Sequence, residues 1–233
     1  MGTTPKHIAI IPDGNRRWAK AHKLLSEKGH RAGLDLLIEL SLAAKEFDVA
    51  SLTFYLFSTE NWNRSKREVS YLLALFKRFL KINIPVMKKN GIRLTTLGNL
   101  TVFSDSLRAV LQEAVQETAP CEEIEVTIAL NYGGRDEMQR AVRSIVEDCA
   151  SKKIDKTQID ASLISSYLDT AGRREPDLLI RAGGEKRLSN FLLWQMAYTE
   201  LYFCDKLWPD FTAQDLFEAI SDFQQRKRRW GGT

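Results

Sequence analysis

Six short apolar runs, separated by longer helical patterns, constrain the fold of this chain more than any other feature. Ile8-Ala9-Ile10-Ile11 is the first. Leu52 to Phe57, Ile92 to Leu97, Ile124 to Leu130, Asp177 to Ile180 and Glu200 to Phe203 follow. Each spans only four to seven residues and reads as apolar on both faces. That pattern suits strands covered on both faces, as in a parallel sheet flanked by helices.

The segments between them carry helical spacing. Leu107, Val110, Leu111, Ala114 and Val115 stand at i, i+3, i+4, i+7 and i+8, and Leu34 to Phe47 is similar. A last helix is predicted over about Ala213 to Arg229. The stretch from Glu68 to Lys89 is apolar around much of its girth, through Val69, Leu72, Leu73, Phe76 and Phe79 but also Tyr71, Leu75 and Val86. Such a helix is either core on every side, which the pattern alone favours, or core on one side and the wall of an apolar cavity on the other. Pro85 is predicted to kink or end it. The β-α-β-α order predicts an open α/β sheet, whose ligands bind beyond the carboxyl ends of the strands. No linker, repeat or low-complexity tract interrupts residues 1–233, which read as one domain.

Composition removes several function classes. The longest apolar run, Tyr71 to Phe76, is too short to span a bilayer. Cys121, Cys149 and Cys204 are widely spaced, which suits a reducing compartment such as the cytoplasm. The first residues hold no apolar signal core and no myristoylation pattern. No G-x-x-x-x-G-K-[ST], H-E-x-x-H or zinc-finger spacing occurs. A net charge of +4 is too small for a nucleic-acid coat. The charge is uneven, however: residues 1–31 carry +5 and Arg226-Lys227-Arg228-Arg229 a further +4, so the remainder is acidic.

Three polar segments follow strands. Asp13-Gly14-Asn15-Arg16-Arg17-Trp18 combines a tight turn, two guanidinium groups suited to phosphate oxygens, and a hard carboxylate suited to Mg²⁺. The plainer reading makes Asp13 or Asn15 a helix cap. Ser58-Thr59-Glu60-Asn61-Trp62-Asn63-Arg64 clusters an acid, amides, an indole and a cation. Arg181-Ala182-Gly183-Gly184-Glu185-Lys186-Arg187-Leu188-Ser189-Asn190 is an anion-wrapping loop or a flexible exposed turn. His30 reads equally as a helix-start hydrogen bonder or a catalyst. Glu200, among apolar neighbours, requires an arginine or a metal ion as partner. Together these residues describe a site for a phosphorylated substrate, with room for an apolar tail.

In order and spacing, these segments resemble the cis-prenyltransferase family over nearly the whole chain. The resemblance rests on His7 to Ala19, Gly29-His30-Arg31-Ala32-Gly33, Phe57 to Arg64, Asn131-Tyr132-Gly133-Gly134-Arg135 and Asp177 to Gln195. It continues through Glu200-Leu201-Tyr202-Phe203, Leu207-Trp208-Pro209 and Arg229-Trp230-Gly231-Gly232. It implies a single α/β domain with a six-stranded, mostly parallel sheet, a hydrophobic tunnel and a homodimer. It also implies repeated condensation of isopentenyl diphosphate onto an allylic diphosphate, usually farnesyl diphosphate. Bacterial members make the lipid carrier for cell-wall synthesis.

Carried over by position, Asp13 would hold Mg²⁺ and assist loss of the allylic diphosphate, with Glu200 completing the metal site. Gly14, Asn15, Arg16 and Arg17 would cradle that diphosphate, near Trp18 and His30. Ser58, Thr59 and Glu60 would line the site. Asn61, beside Trp62 and Arg64, falls at the family's proton-acceptor position. A neutral amide is a poor base, so its role reads as positioning. Arg181, Arg187, Leu188 and Ser189 would bind isopentenyl diphosphate. Arg229 and Gly231 match a C-terminal R-x-G that reaches across the dimer. Ser26 departs from the family, standing where many members have an arginine on the allylic diphosphate. Some family partners are non-catalytic subunits of two-component enzymes, but those lack the motifs present here. Contact with the membrane would be peripheral, for product release, and no nucleic acid is involved.

Overall fold

The computed structural model describes residues 3–227. Its centre is one sheet of six strands: β1 (His7–Ile11), β2 (Ser51–Ser58), β3 (Ile92–Leu97), β4 (Ile124–Tyr132), β5 (Leu178–Arg181) and β6 (Glu200–Phe203). The order across the sheet is β3-β4-β2-β1-β5-β6, and every pairing is parallel. The six apolar runs are therefore the six strands. β1 and β5 are buried at every residue because helices and loops cover both faces.

Among the described residues seven α-helices accompany the sheet: α1 (Asn15–Ala21), α2 (Ser26–Glu46), α3 (Lys66–Lys89), α4 (Asp105–Thr118), α5 (Gly134–Ala150), α6 (Ala161–Ser166) and α7 (Ala213–Gln225). Alternate strand residues serve different cores. Ile8, Ile10, Leu52 and Phe54 join a large apolar cluster with α2, α3, α4 and α7. Ala9, Ile11, Tyr55 and Leu179 face a smaller cluster built on Phe191, Leu192 and Met196. This is the two-residue period of a strand read on both faces.

One predicted helix end is corrected, and one of the two outcomes predicted for Pro85 is excluded. The final helix stops at Gln225, short of Arg229, whose position lies outside the described residues, as does that of Gly231. Pro85 does not end α3, which runs on to Lys89. Ile84 and Met87 on either side of it are buried, and that packing outweighs one lost backbone hydrogen bond.

Sheet order positions the site. From β1 the chain passes to β2 on one side. It reaches β5, on the other side of β1, only after β4. The carboxyl ends of β1 and β5 therefore flank a topological switch point, where open α/β sheets form their crevice.

Candidate active site

At that switch point Ile11 pairs with Arg181 across β1 and β5. The chain leaves β1 through Pro12 and Asp13, and Gly14, at φ 107°, occupies the N-cap of α1 without a side-chain cap. Neither Asp13 nor Asn15 caps the helix, so the Asp13 carboxylate is left for other partners. Its Oδ2 accepts from Arg181 Nη2 at 2.9 Å, and its Oδ1 lies 3.4 Å from Arg17 Nη2. Arg181 is almost wholly buried and also donates through Nη1 to Ser189 Oγ at 2.7 Å and to the Arg187 carbonyl. Its Nε is buried and has no hydrogen-bond partner.

The loop after β5 is pinned rather than loose. Gly183 N–H donates to the Lys206 carbonyl at 2.8 Å and Gly184 N–H to that of Cys204 at 2.9 Å. The Trp208 N–H donates to the Asp13 carbonyl at 2.9 Å, and its indole donates to the Gly33 carbonyl at 2.7 Å. The turn after β1 is thus fastened to both α2 and the segment after β6.

These groups open into a cavity of about 590 Å³. Asp13, Asn15, His30, Arg64, Arg181 and Ser189 stand at its polar end, and Leu72, Leu73, Leu75 and Phe76 of α3 form an apolar wall. α3 is therefore both core and cavity lining: Phe79, Leu80 and Met87 are buried in the large cluster while the leucines one turn earlier face the space. An outer crevice adjoins it, edged by Arg16, Arg17, Lys20, Lys23, Ser26 and Arg64.

A second charged group backs the polar end. Glu68 Oε1 lies 3.4 Å from Arg64 Nη1 and 3.5 Å from His30 Nε2. Burial, with the Arg64 charge, holds His30 below the ordinary histidine range, and Glu68 offsets this only in part. Burial also lowers Arg64. Burial pushes Glu60 up, but hydrogen bonds from Asn190, its own N–H, Ser58 and Thr59 outweigh it and hold the carboxyl below its usual range.

Ser58, Glu60 and Asn61 border the cavity, on a short 3₁₀ turn over Thr59–Asn63. Asn61 Oδ1 accepts the Ser58 N–H at 3.1 Å in a capping box, which fixes the amide within the turn. Several predicted site residues do not border the cavity. Trp18 donates its indole N–H to Asp210 at 2.6 Å and packs on His22. Trp62 donates to Asn131 Oδ1 at 2.7 Å, against Phe57 and Phe103. Leu188 packs on the smaller core, and Arg187 pairs with Glu185. Thr59 also stands away from the cavity, close against Gly133.

Glu200 stands apart from the other candidate site residues in this chain. It sits level with Leu178, and so with Ile8, at the amino end of the sheet. Asp13 lies beyond the carboxyl end, with about 10 Å of strand rise between those levels before the turn begins. The partner of Glu200 in this chain is Arg226, at 2.9 Å. Among the described residues no three His, Cys, Asp or Glu side chains gather into a metal cage. Asp13, part-exposed at the cavity, fits a different mode, in which Mg²⁺ takes one carboxylate and completes its shell with substrate phosphates and water. Sequence reasoning did not assign Glu68, Tyr55 or Asn190. The i, i+4 spacing of Arg64 and Glu68 was the one available signal.

Known proteins resemble this chain closely. Residues 11–231 match the prenyltransferase family model described as "Putative undecaprenyl diphosphate synthase". An isoprenyl transferase of Chlamydia trachomatis is 49% identical over 97% of this chain and 91% of its own length. One from Brucella abortus is 47% identical over 98% and 90%. The structure of lavandulyl diphosphate synthase from Lavandula x intermedia, in complex with dimethylallyl diphosphate, superposes with a TM-score of 0.95 at 33% identity, covering 98% of this chain and 99% of that one. A "probable undecaprenyl diphosphate synthase" from Campylobacter jejuni superposes with a TM-score of 0.82 at 32% identity over the whole of both chains.

Proposed function

This chain belongs to the undecaprenyl diphosphate synthase family of prenyl transferases, and from that premise we propose that it is a Mg²⁺-dependent cis-prenyltransferase. It condenses isopentenyl diphosphate repeatedly onto an allylic diphosphate, farnesyl diphosphate, to make a long-chain polyprenyl diphosphate for the cell-wall lipid carrier. One observation carries the reading: the Asp13–Arg181 pair stands at the head of a cavity whose wall is Leu72, Leu73, Leu75 and Phe76. Charge at one end and apolar surface along the side match a diphosphate bearing a hydrocarbon chain.

In each cycle the allylic carbon–oxygen bond breaks, a carbon–carbon bond forms to isopentenyl diphosphate, and one proton leaves for the departing diphosphate or water. Asp13 would be the protein ligand of Mg²⁺, which would stabilise charge on the leaving diphosphate. Arg16 and Arg17 hold that diphosphate at the outer crevice beside Ser26, and Lys23 supplies a cation in the same crevice. Arg181 and Ser189 hold the second diphosphate at the inner end, with Arg187 reaching it from its loop. Charged donors fixed before the reaction spend little reorganisation in the transition state. Asn61 orients the loop rather than accepting the proton, because a neutral amide is a poor base and its oxygen is tied to the Ser58 N–H. The growing tail moves along α3 into a hydrophobic tunnel, gaining about 0.8 kcal/mol per buried CH₂.

The enzyme works as a homodimer formed by two copies of the one domain, residues 1–233. In one chain Glu200 and Asp13 stand at opposite ends of the strands, so any ion shared by both acids draws on two chains. No helix among the described residues is long and apolar enough to cross a membrane. The enzyme is cytoplasmic and meets the membrane peripherally to release its product.

The test is direct. Purified protein is incubated with radiolabelled isopentenyl diphosphate, farnesyl diphosphate and Mg²⁺, and butanol-extractable long-chain product is expected. Its absence with this protein alone overturns the reading and favours a non-catalytic subunit.

A further inference from the structure

Three strand ends meet at one side chain that the function so far leaves without a role. Asn190 sits at φ 66°, directly after Ser189 at φ 51°. Its Nδ2 donates to Glu60 Oε1 at 2.7 Å, 130 residues away beyond the end of β2. Its Oδ1 accepts the Arg135 N–H at 2.9 Å, and its backbone carbonyl accepts the Gly134 N–H at 2.7 Å, both at the head of α5 after β4. α5 begins on Gly133 and so has no side-chain cap of its own. Asn190 supplies that missing acceptor from another part of the chain.

The fit around it is close. A Cβ at Gly133 would lie 2.7 Å from Asn190 Nδ2 and 2.6 Å from Thr59 Oγ1, so the β2 and β5 loops both press on this glycine. From beneath, the Tyr55 hydroxyl reaches the Ser189 carbonyl at 3.3 Å and the Tyr132 carbonyl at 3.1 Å. Ser189 is also the residue whose hydroxyl takes Arg181. Glu60, Ser189, Asn190 and Arg181 all border the cavity.

We infer that Asn190 is a positioning residue: by clamping the loops after β2 and β5 to the head of α5, it sets the Glu60 carboxylate and the Ser189 hydroxyl at a fixed spacing across the cavity. The inference rests on the reading that this cavity takes the second diphosphate. The amide is suited to the task because it offers a donor to one loop and an acceptor to the other at once, which neither a carboxylate nor an aliphatic side chain does. Its bond to Glu60 is among those that hold that carboxyl ionised. Tyr55, from β2, Arg135, on α5, and Arg181, which holds Ser189, are the other titratable groups named at the junction, and burial keeps Tyr55 protonated.

Two variants test this. Asn190→Gly tolerates the positive φ and keeps the carbonyl bond to Gly134 but loses both side-chain bonds. The KM for isopentenyl diphosphate should rise about tenfold, with kcat much less affected. Asn190→Asp keeps the shape and the acceptor for Arg135 but places a second carboxylate oxygen against Glu60. The Glu60 pKa, followed by carbon-13 NMR of the carboxyl in the substrate-free protein, should rise by about one unit. The acid limb of the kcat/KM profile should move with it. An unchanged Glu60 titration in Asn190→Asp overturns the clamp, whether or not the protein condenses prenyl diphosphates. A lowered melting temperature with unchanged KM and pH profile overturns it too, because Asn190 is then structural only. If the titration moves as expected but no condensation is seen, the clamp stands and the proposed reaction fails.

Discussion

The Asp13 carboxylate and the Arg181 guanidinium, 168 residues apart in sequence, meet at 2.9 Å beyond adjacent parallel strands. Each also holds a second group: Asp13 takes Arg17, and Arg181 takes Ser189 and the Arg187 carbonyl. Asp13→Ala removes the proposed metal ligand and leaves Arg181 buried without its carboxylate. The expected loss in kcat/KM is about 10²- to 10³-fold, measured by incorporation of labelled isopentenyl diphosphate. Arg181→Lys, which keeps the charge but not the fork, should lose nearly as much. Wild-type turnover in either variant defeats the assignment.

Gly183 tests the loop. It lies at φ 86°, and a Cβ there would stand 2.9 Å from the Asp13 carbonyl and 2.7 Å from an Arg17 nitrogen. Gly183→Ala should cost about 1–3 kcal/mol in urea unfolding, from backbone strain and the displaced Asp13 turn. The KM for the allylic substrate should rise with it. A variant as stable as the parent would show that the turn yields freely.

The α3 wall makes a separate prediction about product length. Leu73 borders the cavity and is only part-buried, so a larger ring there meets open space before it meets core. Leu73→Trp should shift the products to shorter chains, read by thin-layer chromatography or mass spectrometry. The first condensation should be affected less. An unchanged product distribution would place the growing tail elsewhere.

Stability should depend on pH through His7. This side chain is buried, with Nδ1 on the Arg174 carbonyl at 2.7 Å and Nε2 on Thr53 Oγ1 at 2.8 Å. That is a neutral imidazole donating from one nitrogen and accepting at the other. Burial lowers its pKa despite the nearby carbonyl and Asp177. Below about pH 6.5 the unfolded chain therefore takes up a proton that the folded chain refuses. Stability is complete at neutral pH and falls as pH drops from there towards the folded pKa. His30, also lowered, adds to the same slope. His7→Gln should flatten the fall in melting temperature between pH 7 and pH 5. An unaltered slope would locate the effect in other groups.

Chelation separates catalysis from folding. Asp13 is held by arginines rather than by a cluster of acids, so the substrate-free chain does not need a metal to stay folded. EDTA should abolish condensation and leave the melting temperature of the substrate-free protein where it was. A large drop in melting temperature would point to a structural ion.

Much of the fold was legible. Ile8–Ile11, Leu52–Phe57 and Glu200–Phe203 read as strands because consecutive apolar residues have few other places to go in a protein with helices on both sides of its sheet. The Asp13, Glu60 and Arg181 segments read as site residues because polar clusters after strands line the crevice of such a sheet. Glu200 was harder to place. Its isolation demanded a partner, but local sequence could not tell a metal ion from Arg226, which lies a whole helix away. The tryptophans were as hard to place: Trp18 and Trp62 use their N–H groups on Asp210 and Asn131, partners that no spacing reveals.

The sequence by itself determined which residues become strands, which helix is apolar on too many sides, and where charge collects, because these depend on side-chain period and composition over a few turns of chain. Only the tertiary structure decided which loops share a crevice. Strand order brings β5 beside β1, and so Arg181 to Asp13, while the same parallel register carries Glu200 to the far end. It also decided that Asn190 would cap a helix begun by two glycines. Those contacts span 130 residues to Glu60 and 55 to Arg135, and they form only once the packed sheet holds the three loop ends together.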